Sequence, residues 1–296
     1  MLGRSGPAVK SPEQIQVMRR AGALVGETLE LVRESIRAGM TTAELDELAE
    51  RHIRAAGGVP SFIGVPGGPG AIDFPASLCI SVNDQVVHGI PGQRVIADGD
   101  LVSIDCGAIV DGWHGDAAIS VLVGPAPTVE DVALVAATEQ SMWHGIAALR
   151  VGSRLYDVGA AVEDYVVGLA SSSAPSGSSS PSGQPGHPYG IVEDYVGHGI
   201  GRSMHEDPQV PNYRVRTRGP KVAAGLCVAV EPMLTAGSAD TRTLADGWTV
   251  VTEDGGRAAH WEHSVAVTAR GPWVLTALDG GAAGLASVGS APGGLD

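Results

Sequence analysis

Two histidines, His198 and His205, stand seven residues apart in the stretch YVGHGIGRSMHEDPQV, among three glycines. Imidazole serves as metal ligand, hydrogen-bond donor or proton carrier near neutral pH. The glycines would let the backbone bend, so that two side chains an odd number of residues apart could reach one cavity. Taken alone, His198 fits a metal ligand and a hydrogen-bonded loop histidine equally well. Carboxylates sharpen the choice. If Asp111-Gly112 is a two-residue hairpin turn, Asp105 lies opposite position 118, and Asp116 is its diagonal neighbour on the same face. Two carboxylates so placed oppose each other's ionisation unless a proton or a cation lies between them. The plainer alternative, a pair of solvated turn acids, is weakened by the apolar runs on either side.

Glu231 ends the run LCVAV and precedes Pro232, which keeps it extended, and Glu262 interrupts HWEHSVAV. Either glutamate alone is more often a surface strand residue than a ligand. Four carboxylates in four apolar strands, with one imidazole and no thiolate, make the composition of a site for two divalent ions about 3.5–4 Å apart. Such ions share a water and make hydroxide available near neutral pH. His88 and His205 are not needed to complete that set and are free to donate to a carbonyl oxygen or accept from an amine. His114 and His263 lie beside the candidate ligands, but nothing in their spacing promotes them.

The elements that must position these groups are partly legible. Ser11, Pro12 and Gln14 form a capping box with proline at the first helical position, followed by apolar residues at helical spacing from Ile15 to Ile36. A second box, Thr41 to Glu44, opens a helix expected to stop near Gly57. From Ser77 the pattern becomes short β-rich runs, read as hairpins around Asn83-Asp84 and Asp111-Gly112. Helical pattern returns after Thr128 and from Leu155 to Ala170, followed by strands in GLCVAVEPM, WTVVT and AAHWEHSVAVT. Two rounds of helices followed by hairpins predict an α+β architecture of two similar halves around one sheet. Residues 1–10 are expected to be flexible, 171–187 (SSSAPSGSSSPSGQPGH) a mobile insert, and 280–296 a flexible tail.

Composition bounds the function. With 19 Lys and Arg against 33 Asp and Glu, the 296-residue chain carries a net charge of -14, which argues against a general nucleic-acid or membrane-surface binder. The three cysteines form no CxxC pair and read as reduced, buried thiols of a cytoplasmic protein. No signal-like or membrane-spanning stretch is read in the sequence.

Taken jointly, VNDQVVHGIP, DLVSIDCGAIVDGWHGDAA, VGHGIGRSMHEDPQVPNY, CVAVEPM and DGWTVVTEDGGRAAHWEHSVAVT resemble the type I methionine aminopeptidases, in order from about Ser11 to Thr276. The resemblance implies the pita-bread (creatinase/aminopeptidase) fold, with two pseudo-symmetric halves, helices packed on a curved, mainly antiparallel sheet, and one catalytic domain over 11–279. It implies removal of the initiator methionine from nascent proteins whose second residue is small. Asp105, Asp116, His198, Glu231 and Glu262 match the family's metal ligands, with Asp116 and Glu262 bridging two ions. A bridging hydroxide would attack the first peptide bond, with His205 stabilising the oxyanion, His88 at the peptide nitrogen and Glu231 shuttling the proton. Phe74, Cys79, Met204 and Trp248 fall where the family lines its methionine pocket, against the plainer reading of core residues.

The two divalent metals would be Co, Mn, Fe or Zn, which sequence does not decide. Expected partners are nascent N-termini beginning with Met, with a ribosome contact near the exit tunnel, acting as a monomer, without membrane or direct nucleic-acid function. Two features depart from the family pattern. SFIGVPGGPGAIDFPAS is longer than the usual pocket loop and has no tyrosine, and a Ser-rich insert precedes HPYGIVEDYVGHGIG. The insert is far shorter than the helical one of type II enzymes, and no N-terminal zinc finger is read. The rival readings are an Xaa-Pro aminopeptidase or dipeptidase of the same fold and a non-catalytic pita-bread binding protein; a two-metal phosphoesterase ranks lower.

Overall fold

Both capping boxes start helices. The computed structural model describes residues 8–173 and 187–295. In it α1 (Pro12–Ser35) begins where the Ser11 hydroxyl accepts from the Gln14 backbone N–H and the Gln14 side chain accepts from that of Ser11. Helix α2 (Thr42–Ala55) starts in the same way at Thr41 with Glu44 and ends just before Gly57, which sits at φ 79°. Each box satisfies N–H groups that a helix start otherwise leaves open.

The first half continues with β1 (Val59–Pro60), β2 (Leu78–Val82), β3 (Gln85–Val87), β4 (Leu101–Val110) and β5 (Trp113–Leu122). Helices α3 (Val129–Ala147) and α4 (Asp157–Ser173) open the second half. It then runs through β6 (Gly190–Ile191), β7 (Gly197–Gly199), β8 (Glu206–Val210), β9 (Cys227–Val230) and β10 (Met233–Thr235). The last elements are β11 (Thr241–Thr243), β12 (Val250–Thr252), β13 (Ala258–His260), β14 (Glu262–Thr268), β15 (Gly271–Val274) and α5 (Ala282–Ser287).

Nine strands form the main sheet in the order β1-β4-β5-β14-β9-β7-β8, with β2 on β4 and β15 on β14. The described pairings are antiparallel. The halves meet at β5–β14. Two further sheets, β13-β10-β6 and β11-β12-β3, replace the single sheet expected from sequence, while the α+β class stands.

The β4–β5 hairpin turns as read. Val110 pairs with Trp113, leaving Asp111 (φ 51°) and Gly112 (φ 73°) as a two-residue turn whose positive φ values match the twist of the strands. The second expected hairpin does not form. β2 pairs with β4 and β3 with β12, because the chain leaves the main sheet at Asn83 (φ 63°). The Asn83 side chain donates to Asp100 and accepts from the Leu101 N–H, fixing that exit.

Helix α1 packs Leu24, Val25 and Leu29 against Ile104 and Ile119 of the sheet. Gly22 permits the approach, since a Cβ there would lie 2.3 Å from the Leu275 carbonyl oxygen. In the second half Met142 and Ile146 of α3 cover Val228, Val230 and Val265. Each such fully buried side chain contributes about 1.5–3 kcal/mol.

The tail expected to be flexible from Gly280 instead forms α5, which buries Leu285 in the same core. Its Gly284 lies where a Cβ would come 2.1 Å from the Trp143 ring, so the bare backbone seats the indole. Of the expected insert, 174–186 lie outside the described residues, as do 1–7 of the N-terminal segment. Lys10, also expected to be flexible, is buried. The three cysteines are free and buried, and no described helix is long and apolar enough to cross a membrane.

Candidate metal centre and pocket

Five neighbouring strands each bring one polar group to the same place. Asp105 is on β4, Asp116 on β5, Glu262 opens β14, Glu231 follows β9, and His198 is the middle residue of β7. Register explains the convergence. Ala118 pairs with both Asp105 and Glu262, and Asp116, two residues from Ala118, faces the same side. The small side chain of Ala118 leaves the space between the carboxylates open. His263 pairs with Val230, so the next step of the register sets Glu231 beside Glu262.

Ligand atoms of Asp116, His198 and Glu262 lie within 4.8 Å of one another. His198 Nε2 is 3.4 Å from Glu231 Oε1, and Asp105 lines the same cavity. The glycines around His198 act through size. A Cβ on Gly197 would lie 2.3 Å from the Ala229 carbonyl oxygen, and one on Gly199 2.4 Å from that of Asp207. Neither residue has a positive φ, so close approach of neighbouring strands, rather than backbone freedom, requires them.

The donor set fits a cation. His198 Nδ1 lies 3.0 Å from the Gly199 carbonyl oxygen, which only accepts, so Nδ1 carries the proton and Nε2 presents a lone pair. Burial, then proximity to His205, lowers the His198 pKa to about 4. The lone pair therefore faces the Glu231 side chain. Asp105 Oδ1, Asp116 Oδ1, Glu231 Oε1 and Glu262 Oε1 are all buried without a hydrogen-bond partner.

Burial pushes Asp105 up to about 7 and, as the first cause in each case, Asp116, Glu231 and Glu262 well above the ordinary carboxylate range. The neighbouring carboxylates add to it: Glu262 and Asp105 for Asp116, Asp116 and Asp105 for Glu231, and Glu231 and Asp105 for Glu262. A divalent cation would relieve both desolvation and repulsion, and Asp, Glu and neutral imidazole are its usual oxygen and nitrogen ligands.

The two remaining histidines border the same cavity. The His205 ring is 4.4 Å from that of His198, at the mouth, with its pKa lowered by burial. His88 is held at φ 58° between β3 and Gly89, edge-on to Tyr195 (5.4 Å) and Trp248 (6.2 Å), and burial lowers it to about 4. A β-strand cannot continue through such a φ, so β3 ends at Val87.

Phe74, Cys79, Met204 and Trp248 line the apolar end of the cavity, together with Phe62 and Val65. Phe74 meets Phe62 (6.3 Å) and Trp248 (5.1 Å) edge to face, and Trp248 Nε1 donates to the Ile72 carbonyl oxygen at 2.8 Å. That bond ties the long 61–77 loop over the pocket. The cavity, about 70 Å³, exceeds several-fold the roughly 10–15 Å³ one water needs. Sequence reasoning missed Phe62, Val65 and Tyr195: the loop's Gly/Pro composition hides which apolar residues turn inward, and nothing near Tyr195 marks its ring contact. His114 contacts Ser61 and His263 contacts Thr276, which leaves neither in the polar cluster.

A two-half α+β fold that gathers carboxylates and one imidazole on adjacent antiparallel strands defines a class of metal-dependent peptidase. The family model of metallopeptidase family M24 matches residues 16–269, and the chain belongs to that family. Within it, the chain is 49% identical over 277 residues to methionine aminopeptidase 1 of Mycobacterium tuberculosis, covering 93% of this chain and 97% of the relative. The crystal structure of methionine aminopeptidase from Rickettsia prowazekii superposes with a TM-score of 0.81 at 33% identity, covering 91% of this chain and 99% of that one. The Xaa-Pro dipeptidase from Bacillus anthracis reaches a TM-score of 0.65 at 20% identity, with 90% of this chain and 61% of that one covered, a likeness of fold alone. The pita-bread fold of these proteins is the fold of this chain.

Proposed function

We propose that this chain removes the N-terminal methionine from polypeptides whose second residue is small. The observation that carries the reading is one cavity with an apolar end of Phe62, Val65, Phe74, Cys79, Met204 and Trp248 and a polar end of three imidazoles and four carboxylates, each with one buried oxygen that has no hydrogen-bond partner. Asp105, Asp116, His198, Glu231 and Glu262 would hold two divalent ions. Bound there, the ions supply Lewis acidity and lower the pKa of water toward neutrality.

The chain's own groups supply the rest. The apolar end takes a flexible, unbranched thioether, for which aromatic rings are good partners. His205, beside the polar cluster, donates to the carbonyl oxygen as it gains charge, and His88 contacts the peptide nitrogen of the bond to be cut. Glu231 carries the proton to the leaving amine. The reading includes action by a monomer in the cytoplasm on nascent chains, with a ribosome contact that brings it their N-termini.

The test is methionine release from Met-Ala-Ser by metal-stripped protein, with Mn, Fe, Co or Zn restored in turn, beside Glu262→Ala. Release is expected with at least one metal and lost in the variant. Faster cleavage of Ala-Pro-Ala would assign the chain to the Xaa-Pro enzymes, and folded protein inert with every metal would favour the binding-protein reading.

A further inference from the structure

His205 sits on the loop between β7 and β8 and makes one ring contact, with His198; among the described hydrogen bonds none holds its imidazole. Its position therefore depends on the backbone to either side. On one side Met204 is fixed by burial in the pocket. On the other, Glu206 reaches back across the molecule to Lys10, whose Nζ donates to Glu206 Oε2 at 2.7 Å.

This ion pair differs from the surface pairs of the chain. The Lys10 side chain is 7% exposed and that of Glu206 22%, whereas Arg20–Asp111 is more than half exposed on both sides. Exposed pairs contribute little, but a largely buried charge demands its partner and leaves few alternative geometries. Both partners are anchored. The Lys10 backbone N–H donates to the Gly225 carbonyl oxygen at 2.7 Å, and Glu206 Oε1 accepts from the Ser203 N–H at 3.2 Å. Gly201 N–H donates to the Ser203 carbonyl oxygen at 3.0 Å, closing the loop on itself. The pair packs directly on Gly201, where a Cβ would lie 2.6 Å from Glu206 Oε1 and 2.7 Å from Lys10 Cε.

We propose that the Lys10–Glu206 pair is a strap from the segment before α1 that fixes the His205 loop at the mouth of the cavity, making Lys10 and Glu206 positioning residues for the reaction. The proposal rests on the reading that His205 meets the substrate. Lys10 touches neither the substrate cavity nor the candidate ligands; it acts through the loop. Removing it frees the backbone around His205, while the pocket and the carboxylate cluster, built from other strands, stay in place.

The experiment measures kcat and KM for Met-Ala-Ser in metal-loaded wild type, Lys10→Met, Lys10→Arg, His205→Ala and Lys10→Met/His205→Ala. Lys10→Met is expected to lower kcat by about 10- to 100-fold, the scale of an ångström-sized misplacement, with less than about 3-fold change in KM. Lys10→Arg restores most of it. On the His205→Ala background, Lys10→Met costs little more, because the group it positions is gone. In the metal-free proteins, the Ser203 amide of Lys10→Met exchanges with deuterium at least about 10-fold faster than in wild type, the loss expected when its acceptor is freed.

If Lys10→Met does not fold, Lys10→Met/Glu206→Gln, which removes both charges and leaves neither buried alone, takes its place in the same cycle. A folded Lys10→Met protein, or its Lys10→Met/Glu206→Gln replacement, with wild-type kcat, or an equal further loss on the His205→Ala background, overturns the strap. A His205→Ala enzyme with wild-type kcat overturns the reading of His205, and the strap with it.

Discussion

At the residue scale, the cluster is unusual for what surrounds each group rather than for the groups themselves. His198 becomes a ligand candidate because its Nδ1 is spent on the Gly199 carbonyl oxygen, and because Gly197 lets β9 come close enough to bring Glu231 to Nε2. Gly197→Ala would drive a Cβ to within 2.3 Å of the Ala229 carbonyl oxygen, and backbone, unlike a side-chain tip, cannot swing aside. Overpacking of this kind costs about 1–3 kcal/mol. The expected outcome is a lower melting temperature together with weaker metal binding, read by calorimetry, as β7 shifts and takes His198 with it. Gly68→Ala, where nothing lies within 4 Å of the added methyl, serves as the control and should change neither. A Gly197→Ala protein that binds metal as tightly as wild type would remove close approach as the reason for this glycine.

At the element scale, the two halves are joined across the cluster by two buried serines. Ser264 on β14 accepts from the Asp116 N–H at 3.0 Å and donates to the Asp116 carbonyl oxygen at 2.8 Å. Ser120 on β5 does the same for His260, at 2.9 Å in both directions. Between them runs the short β5–β14 ladder, Ala117–His263 and Ala118–Glu262, that brings Asp116 and Glu262 together. Ser264→Ala leaves the Asp116 backbone without either partner in a dry interior, at a cost of about 1–3 kcal/mol. Because the same bonds orient a ligand candidate, metal affinity should fall about 10- to 100-fold, measured by competition with a chelating dye. Unchanged affinity would show that side-chain packing alone positions Asp116.

How much of this was legible in sequence follows from range. The capping boxes and the Asp111-Gly112 turn are local, so the Asp105–Asp116 diagonal could be read from spacing. The departure of β3 to β12 depends on Asn83 meeting Asp100, and the docking of α5 on buried Leu285 and on Gly284 against the Trp143 ring, both beyond the reach of a local pattern. Lys10 and Glu206, 196 residues apart, carry no shared sequence signal at all.

At the scale of the whole molecule, the site makes metal-free stability depend on pH in a direction that can be worked out. Asp46 is raised to about 6 and Asp105 to about 7, in both cases chiefly by burial, and Asp116, Glu231 and Glu262 stand well above the ordinary range. The folded state therefore holds protons on these groups that the unfolded chain releases at about pH 4, so they favour folding at low pH and lose that contribution as pH rises through about 7 and beyond. Seven imidazoles work the other way, His114, His144 and His205 among them. Burial lowers His88, His198 and His263 to about 4 and His260 to about 3, so the unfolded chain takes up their protons first and stability falls as pH drops below about 6.5. Between about pH 4 and 6.5 the two sets oppose each other. Above about 6.5 the imidazoles are neutral in both states and the carboxylates act alone.

Metal-free protein should accordingly lose melting temperature between about pH 6.5 and 8.5, by roughly 2–4 °C for each kcal/mol lost. A divalent ion takes the place of the protons, so its binding releases them, and metal should raise the melting temperature more at pH 8 than at pH 6.5. Differential scanning calorimetry with and without chelator checks the first expectation, and the dependence of binding heat on buffer ionisation checks the proton release. A metal-free melting temperature that is flat or rising over that window would mean that the carboxylates ionise freely without a cation, and that their convergence is not what calls one in.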